Sequence, residues 1–237
     1  MCYTGSTKDK KGENTVNFEK LICEIIEKPG LTTIWARPRY GMTTLFVQFV
    51  DNLVKASGKT GCVFLLECSK EYFLNKWKTI GLDCSKIVVN DKSEISADTI
   101  RKIVKKMNGR CVIAIDCYQL LDDSLAMELK NLALELSVSI FVKGVLSRCA
   151  EDNPEGKATL YDLQERKSLL YGKEPFAVQD SDIIMFLWRP HKCDRGIGTA
   201  YAYDFENKSE IIIAKNHWGK LGTIHTEWDE EKLCFKL

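Results

Sequence analysis

Residues 31–45, LTTIWARPRYGMTTL, contain the stretch that decides how this chain folds. An apolar, β-branched run enters a short turn, and a helical pattern begins directly after the turn. A strand that passes through a tight turn into a helix leaves free backbone amides at the helix N-terminus, where the helix dipole helps them to hold a phosphate. The turn ends Gly41-Met42-Thr43-Thr44, whereas a phosphate-binding loop ends Gly-Lys-Thr-Thr. The sequence therefore predicts a phosphate-binding turn that lacks its lysine.

Strand patterns alternate with helix patterns along most of the chain. Continuous apolar runs are typical of parallel strands that are covered on both faces. Such runs predict neighbouring strands at residues 32–36, 62–67, 111–116, 138–142 and 183–188, with a shorter strand at 86–90. Amphipathic helices are predicted at residues 17–28, 69–77, 96–107 and 124–136, and between the turn and Gly58. This order predicts an α/β fold with a mostly parallel, doubly wound sheet.

The C-terminal part of the chain has a different pattern. Residues 199–205, 210–215, 223–228 and 233–237 are predicted to form strands joined by short turns, as an antiparallel extension of the sheet. Residues 149–180 show no strong period, and a loop of that length is usually functional or mobile. Residues 1–13 are polar and predicted to be a flexible lead, so that residues 14–237 form one domain.

Length and composition exclude several classes of protein. A chain of 237 residues suits one α/β domain with a sizeable core. A net charge of +1 creates no overall field for nucleic acid, so any such binding must be local. We find neither a run of roughly 18 apolar residues nor a signal-like N-terminus. We therefore expect no membrane contact and a cytoplasmic location.

The ten cysteines invite a metal or disulfide interpretation. No two cysteines are spaced as Cys-x-x-Cys, and the chain has only three histidines to complete a zinc site. Several of the cysteines fall in or beside the apolar strand runs. We therefore expect small buried thiols in a reducing compartment.

Several short motifs around the turn resemble one protein family. TVNFEKL at residues 15–21, Pro29-Gly30, and Ala36-Arg37-Pro38 before Gly41 are similar to the start of the RecA-type motor domain of DnaB-family replicative helicases. That family reads TGF, a spacer, PG and then ARPSMGKTT. The resemblance implies a RecA-like P-loop NTPase fold, with ATP and Mg²⁺ as cofactors and DNA as a partner. It also implies that the helical N-terminal domain of full-length members is missing here, which weakens the expectation of a hexameric ring.

Two carboxylates follow neighbouring predicted strands. Glu67 ends the run CVFLLE and Asp116 ends CVIAID, at the edge of the sheet where such folds bind ligands. Taken alone, each is equally well an ordinary strand-end carboxylate. The resemblance implies that Glu67 activates the attacking water and that Asp116 orients Mg²⁺, with Thr43 as a further metal ligand. Both are therefore candidate catalytic residues of an ancestral site, whether or not that site is still active.

The sequence departs from the family pattern at three positions that matter for ATP hydrolysis. Met42 replaces the lysine of the loop, and Val145 replaces the glutamine of SQLSR. His217 replaces the arginine finger of AKNRNGPTG, which in that family reaches into the site of a neighbouring subunit, whereas Lys215 of the same motif remains. Removing such a finger typically costs on the order of a thousandfold in rate. Either Arg37 and Arg39 compensate by reaching a phosphate from the side, or Met42 caps an empty or weakly occupied loop. The predicted nucleotide-binding residues are Arg37, Pro38, Arg39, Gly41, Met42, Thr43, Thr44, Lys215 and His217.

A charged stretch at residues 162–167, DLQERK, resembles the family's DLRESG loop, which follows the phosphates of single-stranded DNA. The resemblance makes Gln164, Glu165, Arg166 and Lys167 candidate DNA contacts, and a plain charged surface loop is the alternative. We therefore predict a DnaB-helicase-like domain with impaired ATP hydrolysis that binds single-stranded DNA, a helicase subunit or another replication protein. The alternative is an active ATP-dependent translocase with an unusual phosphate-binding loop.

Overall fold

A single sheet forms the centre of the computed structural model, which describes residues 14–91, 95–146, 157–164, 174–189 and 207–237. The strands are β1 (Gly30–Ala36), β2 (Thr60–Phe64), β3 (Ile87–Asn90), β4 (Cys111–Ile115), β5 (Ser139–Val145), β6 (Ile183–Trp188), β7 (Lys208–Asn216), β8 (Gly222–Asp229) and β9 (Cys234–Phe235). The helices are α1 (Phe18–Glu27), α2 (Met42–Ser57), α3 (Lys70–Thr79), α4 (Ala97–Lys106), α5 (Asp123–Leu136), α6 (Leu160–Gln164) and α7 (Glu174–Asp180). A 3-10 turn, Tyr118–Leu120, follows β4.

The strand order is β3-β2-β4-β5-β1-β6-β7-β8-β9. The first six strands of this order, from β3 across the sheet to β6, pair in parallel. The last three, β7, β8 and β9, continue the sheet in antiparallel pairing. The predicted fold class is therefore confirmed, and the strands predicted to be neighbours lie side by side. Because these strands are parallel, the carboxyl ends of β1, β2, β4, β5 and β6 all lie on one side, which we call the carboxyl edge of the sheet.

Helices cover both faces of the sheet. The buried residues of α1, α2 and α3 belong to one apolar cluster, and those of α4, α5, α6 and α7 belong to the other. On the first face, Phe141 of β5 stacks against Phe46 and Phe49 of α2, with ring centroids 5.5 and 5.2 Å apart. These contacts hold α2 over β5, so the N-terminus of α2 lies above the carboxyl edge of the sheet.

Two strands end earlier than the sequence predicts. β2 ends at Phe64 and β4 at Ile115, so Glu67 and Asp116 stand in the loops that follow rather than on the strands. β2 ends because the amides of Leu66 and Glu67 donate to the Asp116 carboxylate instead of to a neighbouring strand. The amide of Asp116 still donates to the Phe64 carbonyl of β2, just beyond the end of β4. The loop after β2 is therefore tied to the end of β4.

The C-terminal third differs from the prediction in two places. The strand predicted at 233–237 shrinks to the two residues of β9, because a turn precedes it and Leu233 adopts a left-handed φ of 52°. Within the region predicted to lack regular structure, residues 160–164 and 174–180 form α6 and α7. These helices have five and seven residues, which is too short for a helical period to be visible in the sequence. The strand predicted at 199–205 lies outside the described residues.

No helix of the described part of the chain is long and apolar enough to cross a membrane. Seven of the cysteines lie in the described ranges, and all seven are free thiols. The described residues also contain no group of three or more His, Cys, Asp or Glu side chains placed to hold a metal ion.

Candidate functional site

The turn between β1 and α2 has an unusual backbone. Gly41 is the N-cap of α2 and adopts a left-handed φ of 87°, and Arg39 two residues earlier has a φ of 69°. A Cβ atom at Gly41 would lie 3.2 Å from the Phe235 ring and 3.3 Å from the Trp228 ring, so only glycine suits both the backbone and the space. The first helical hydrogen bond runs from the Leu45 amide to the Gly41 carbonyl. The amides of the first turn of α2 are thus the free donors of a helix N-terminus.

These amides border a cavity of about 390 Å³, which we call the loop cavity. Its lining comprises Ala36, Arg37, Pro38, Arg39, Gly41, Met42, Thr43, Thr44, Glu67, Tyr72, Lys76, Lys143 and Val145. The structure thus brings Glu67 and Val145 together with seven of the predicted nucleotide-binding residues. Four of the lining side chains are cationic and one is a carboxylate, so the cavity carries an excess of positive charge that favours an anion.

Lys143 is a residue of this cavity that the sequence interpretation missed. It pairs in register with Ile34 of β1, and its side chain is only 5% exposed. Its Nζ atom donates a hydrogen bond to Oε2 of Glu67 at 2.7 Å. The Glu67 side chain is 50% exposed, so the pair joins a buried ammonium to a carboxylate at the cavity mouth. The available signal was a single lysine in the apolar run SIFVKGV.

Asp116 holds the loop that carries Glu67. Its Oδ1 accepts a hydrogen bond from the Leu66 amide at 2.6 Å, and its Oδ2 accepts one from the Glu67 amide at 3.3 Å. Burial raises the pKa of the Asp116 carboxyl above its ordinary value. Burial, together with the neighbouring Asp116 charge, also raises the pKa of the Cys68 thiol to about 12. The Asp116 side chain therefore positions backbone in this structure.

The donor set of the cavity suits a phosphate better than a directly ligated Mg²⁺. The helix amides, Arg37, Lys76 and Lys143 all offer N–H donors to an oxyanion. A magnesium ion requires oxygen ligands, and both oxygens of Asp116 already accept hydrogen bonds from the backbone. Thr43 lines the cavity and offers its hydroxyl, whereas Glu67, the one carboxylate among the described lining residues, is paired with Lys143. The residues present therefore fit the phosphate part of a nucleotide better than they fit the metal.

Lys215 and His217 lie at the amino ends of the parallel strands, opposite the carboxyl edge and the loop cavity. β7 runs antiparallel to β6, and its end, Asn216, pairs with Ile183 at the start of β6. Lys215 donates to the Val178 carbonyl at 2.8 Å, and burial lowers the pKa of its ammonium. The Nδ1 atom of His217 lies 3.2 Å from Oδ1 of Asp182, which also pairs with Lys130. The structure therefore does not bring these two predicted residues to the loop cavity of their own chain.

The candidate DNA loop begins at the end of α6. Gln164 is the last residue of that helix, and the side chain of the preceding residue, Leu163, is buried. Asp162 accepts hydrogen bonds from the amide and hydroxyl of Thr159, which fixes the start of the helix. The side chain of Gln164 and all of Glu165, Arg166 and Lys167 lie outside the described residues. Their role as DNA contacts stays a prediction.

A strand, a glycine turn and a helix N-terminus at the carboxyl edge of a mostly parallel sheet place the chain among the α/β folds that hold a phosphate at this position. The family described as "DnaB-like helicase C terminal domain" matches residues 78–236, which is more than half of the chain. The chain belongs to this family. The family predicted from the sequence motifs is thereby confirmed.

Curated relatives and solved structures agree with this assignment. The replicative DNA helicases DnaC of Bacillus subtilis (strain 168) and DnaB of Geobacillus stearothermophilus are each 25% identical to the chain in an alignment of 250 positions, which covers 86% of this chain and 52% of the relative. The chain thus spans about half the length of the curated relatives it matches. One solved ATPase domain has the same fold, with a TM-score of 0.71 and 23% identity over 87% of this chain and 84% of that one. A DnaB-like replicative helicase, whose structure was described with its interactions with primase, also gives a TM-score of 0.71 and 23% identity, over 88% of this chain and 57% of that one.

Proposed function

We propose that this chain is a DnaB-family domain that binds ATP in the loop cavity and hydrolyses it at a rate near background. In this proposal the domain acts as a binding module for single-stranded DNA or for a replication protein. One observation carries it: the Lys143–Glu67 ion pair lies in the same cavity as the turn in which Met42 replaces the lysine. The cavity keeps cations for phosphate, while its candidate base is already engaged.

Several features favour nucleotide binding. The N-terminus of α2, with its free amides, borders the cavity. Four cationic side chains and one carboxylate line the described part of the cavity, so the charge there favours an anion. Gly41 keeps the turn in the left-handed conformation that opens these amides. The fold that the chain shares with a solved ATPase domain supports a nucleotide as the ligand.

Three features argue against efficient hydrolysis. Oε2 of Glu67 accepts a charge-assisted hydrogen bond from Lys143, which competes with the abstraction of a proton from water. Val145 offers no polar side-chain group at the position of the family's glutamine. His217 is held against Asp182 at the far edge of the sheet, and an imidazole is a poor substitute for a guanidinium finger.

Titration with a fluorescent ATP analogue in the presence of Mg²⁺ tests the binding half of the proposal. We expect saturable binding that is weaker than that of a loop with its lysine. ATP, ADP and inorganic triphosphate should displace the analogue, whereas adenosine should not, because the cavity recognises phosphate rather than the base. Absence of binding, or displacement by adenosine at similar concentrations, would contradict the proposal.

A further inference from the structure

We propose that Lys143 supplies the phosphate-binding charge that Met42 leaves out, from β5 beneath α2 rather than from the turn. The ligand class is a nucleoside polyphosphate whose outer phosphate oxygens accept hydrogen bonds from Nζ. This inference rests on the proposed function, since it requires a nucleotide in the loop cavity. It goes further by assigning the cation to a strand residue that lies far from the turn in the sequence.

The packing of α2 directs Lys143 toward the phosphate position. Residues two apart on a strand lie on the same face, so Lys143 is on the face of β5 that carries Phe141. Phe141 stacks on Phe46, which lies one turn after Met42 at the start of α2. Moving from Phe141 to Lys143 therefore follows β5 toward the N-terminus of α2. Both Met42 and Lys143 line the loop cavity as a result.

The two partners of the ion pair are buried to very different extents. The Lys143 side chain is 5% exposed and the Glu67 side chain is 50% exposed. An ammonium held inside a protein is costly unless anions surround it. A half-exposed carboxylate keeps much of its hydration, so it has far less need of a partner. Lys143 is thus a buried cation whose hydrogen-bonded partner is half-exposed, while the charge of Lys143 also stabilises the ionised form of the buried Asp116 carboxyl.

An ammonium has three N–H donors, which leaves capacity for phosphate. Among the described residues, Oε2 of Glu67 is the hydrogen-bond acceptor that we find for Nζ. The remaining donors can hold phosphate oxygens while Glu67 stays attached. One lysine then provides both properties of the site, because it binds the nucleotide and restrains the base that would hydrolyse it.

The test compares Lys143→Met with Lys143→Arg, with the double variant Met42→Lys/Lys143→Met, and with the control Lys105→Met. Lys105 is an exposed lysine of α4 on the other face of the sheet, so its replacement removes the same charge elsewhere. Affinities for ATP and ADP are measured by displacement of the fluorescent analogue, and the melting temperature of each variant is recorded.

We expect Lys143→Met to weaken ATP binding by about tenfold to a hundredfold, as the loss of a charge-assisted contact predicts. The ratio of ATP to ADP affinity should fall toward one, because Nζ serves the outer phosphates. The double variant should recover most of the affinity, and Lys143→Arg should stay within a few fold of the unmodified protein. Lys105→Met should change nothing. The melting temperature of Lys143→Met shows whether losing the charge beside Glu67 and Asp116 affects folding as well as binding.

A purely structural lysine would give a different pattern. If Lys143→Met binds ATP as tightly as the unmodified protein, or loses ATP and ADP affinity equally, the inference is overturned and the proposed function stands. If the unmodified protein binds no nucleotide, both are overturned. If Lys143→Met fails to fold, Lys143→Gln takes its place, because glutamine keeps polar donors without the charge: a folded Lys143→Gln variant that keeps the ATP affinity of the unmodified protein overturns the inference.

Discussion

At the scale of single residues, Asp116, predicted as a catalytic carboxylate, holds backbone next to the loop cavity. Its two oxygens accept the amides of Leu66 and Glu67, and it is almost fully buried. Desolvation disfavours the ionised form and raises the pKa of its carboxyl, although the amide hydrogen bonds act in the opposite direction. Asp116 thus stabilises the position of Glu67 while the cost of its burial lowers the stability of the ionised protein.

This raised pKa has a consequence for stability against pH. Above the ordinary aspartate pKa of about 3.9, the folded chain retains the Asp116 proton longer than the unfolded chain does. The free energy of unfolding should therefore fall as the pH rises from that value through the raised pKa of the folded state.

Urea unfolding of the unmodified protein and of Asp116→Asn, from acidic to neutral pH, measures this effect. The stability of the unmodified protein relative to the variant should decline with pH, because asparagine does not titrate. A difference that stays constant, or grows, with pH would contradict the assignment.

At the scale of elements, the contact of α2 with β5 sets the geometry of the candidate site. The stacking of Phe141 on Phe46 and Phe49 fixes where α2 begins relative to Lys143. The parallel strands could be predicted from the sequence because their apolar runs are continuous. The end of β2 could not be predicted, because the Asp116 carboxylate, in the loop after β4, accepts hydrogen bonds from the amides of Leu66 and Glu67 in the loop after β2. The helices α6 and α7 could not be predicted either, because each spans only one or two turns.

Replacing Phe141 by alanine should destabilise the protein by about 3 to 5 kcal/mol, because it removes a fully buried ring and leaves a cavity between helix and sheet. Leu134→Ala on α5 is a suitable control, since Leu134 is 52% exposed and its loss should stay within about 0.5 kcal/mol. Chemical denaturation of both variants gives the comparison. Equal losses in the two variants would show that α2 does not depend on this contact.

At the scale of the whole molecule, the sheet separates two groups of predicted site residues. The loop cavity lies at the carboxyl edge of the parallel strands, and Lys215 and His217 lie at the opposite edge. Any contact of His217 with a bound nucleotide would therefore require the cavity of another copy. The proximity of residues 37–44 could be predicted because they are contiguous and carry a motif, and most of them line the loop cavity. The place of Lys143 in the same cavity could not be predicted, because only the fold brings it to the turn.

The sequence-based prediction for DNA also belongs to this scale. Because the net charge is only +1, binding of single-stranded DNA must come from a local group of cations. Arg166→Ala/Lys167→Ala should lower the affinity and flatten the dependence on salt by about one to two phosphate contacts, at a slope of about −0.7 per contact.

Lys105→Ala/Lys106→Ala on α4 removes two charges from an exposed helix and serves as the control. Titrations of an oligonucleotide of mixed sequence at several salt concentrations make the comparison. An unchanged affinity and slope in Arg166→Ala/Lys167→Ala would favour a protein partner over DNA.

Single-turnover hydrolysis of ATP, with enzyme in excess and Mg²⁺ present, tests most directly whether this domain binds nucleotide without turning it over. We expect a rate near the uncatalysed background for the unmodified protein, and the same rate for Glu67→Gln, because the Glu67 carboxylate is held by Lys143. Robust hydrolysis by the unmodified protein that Glu67→Gln abolishes would contradict this view and identify an active ATPase.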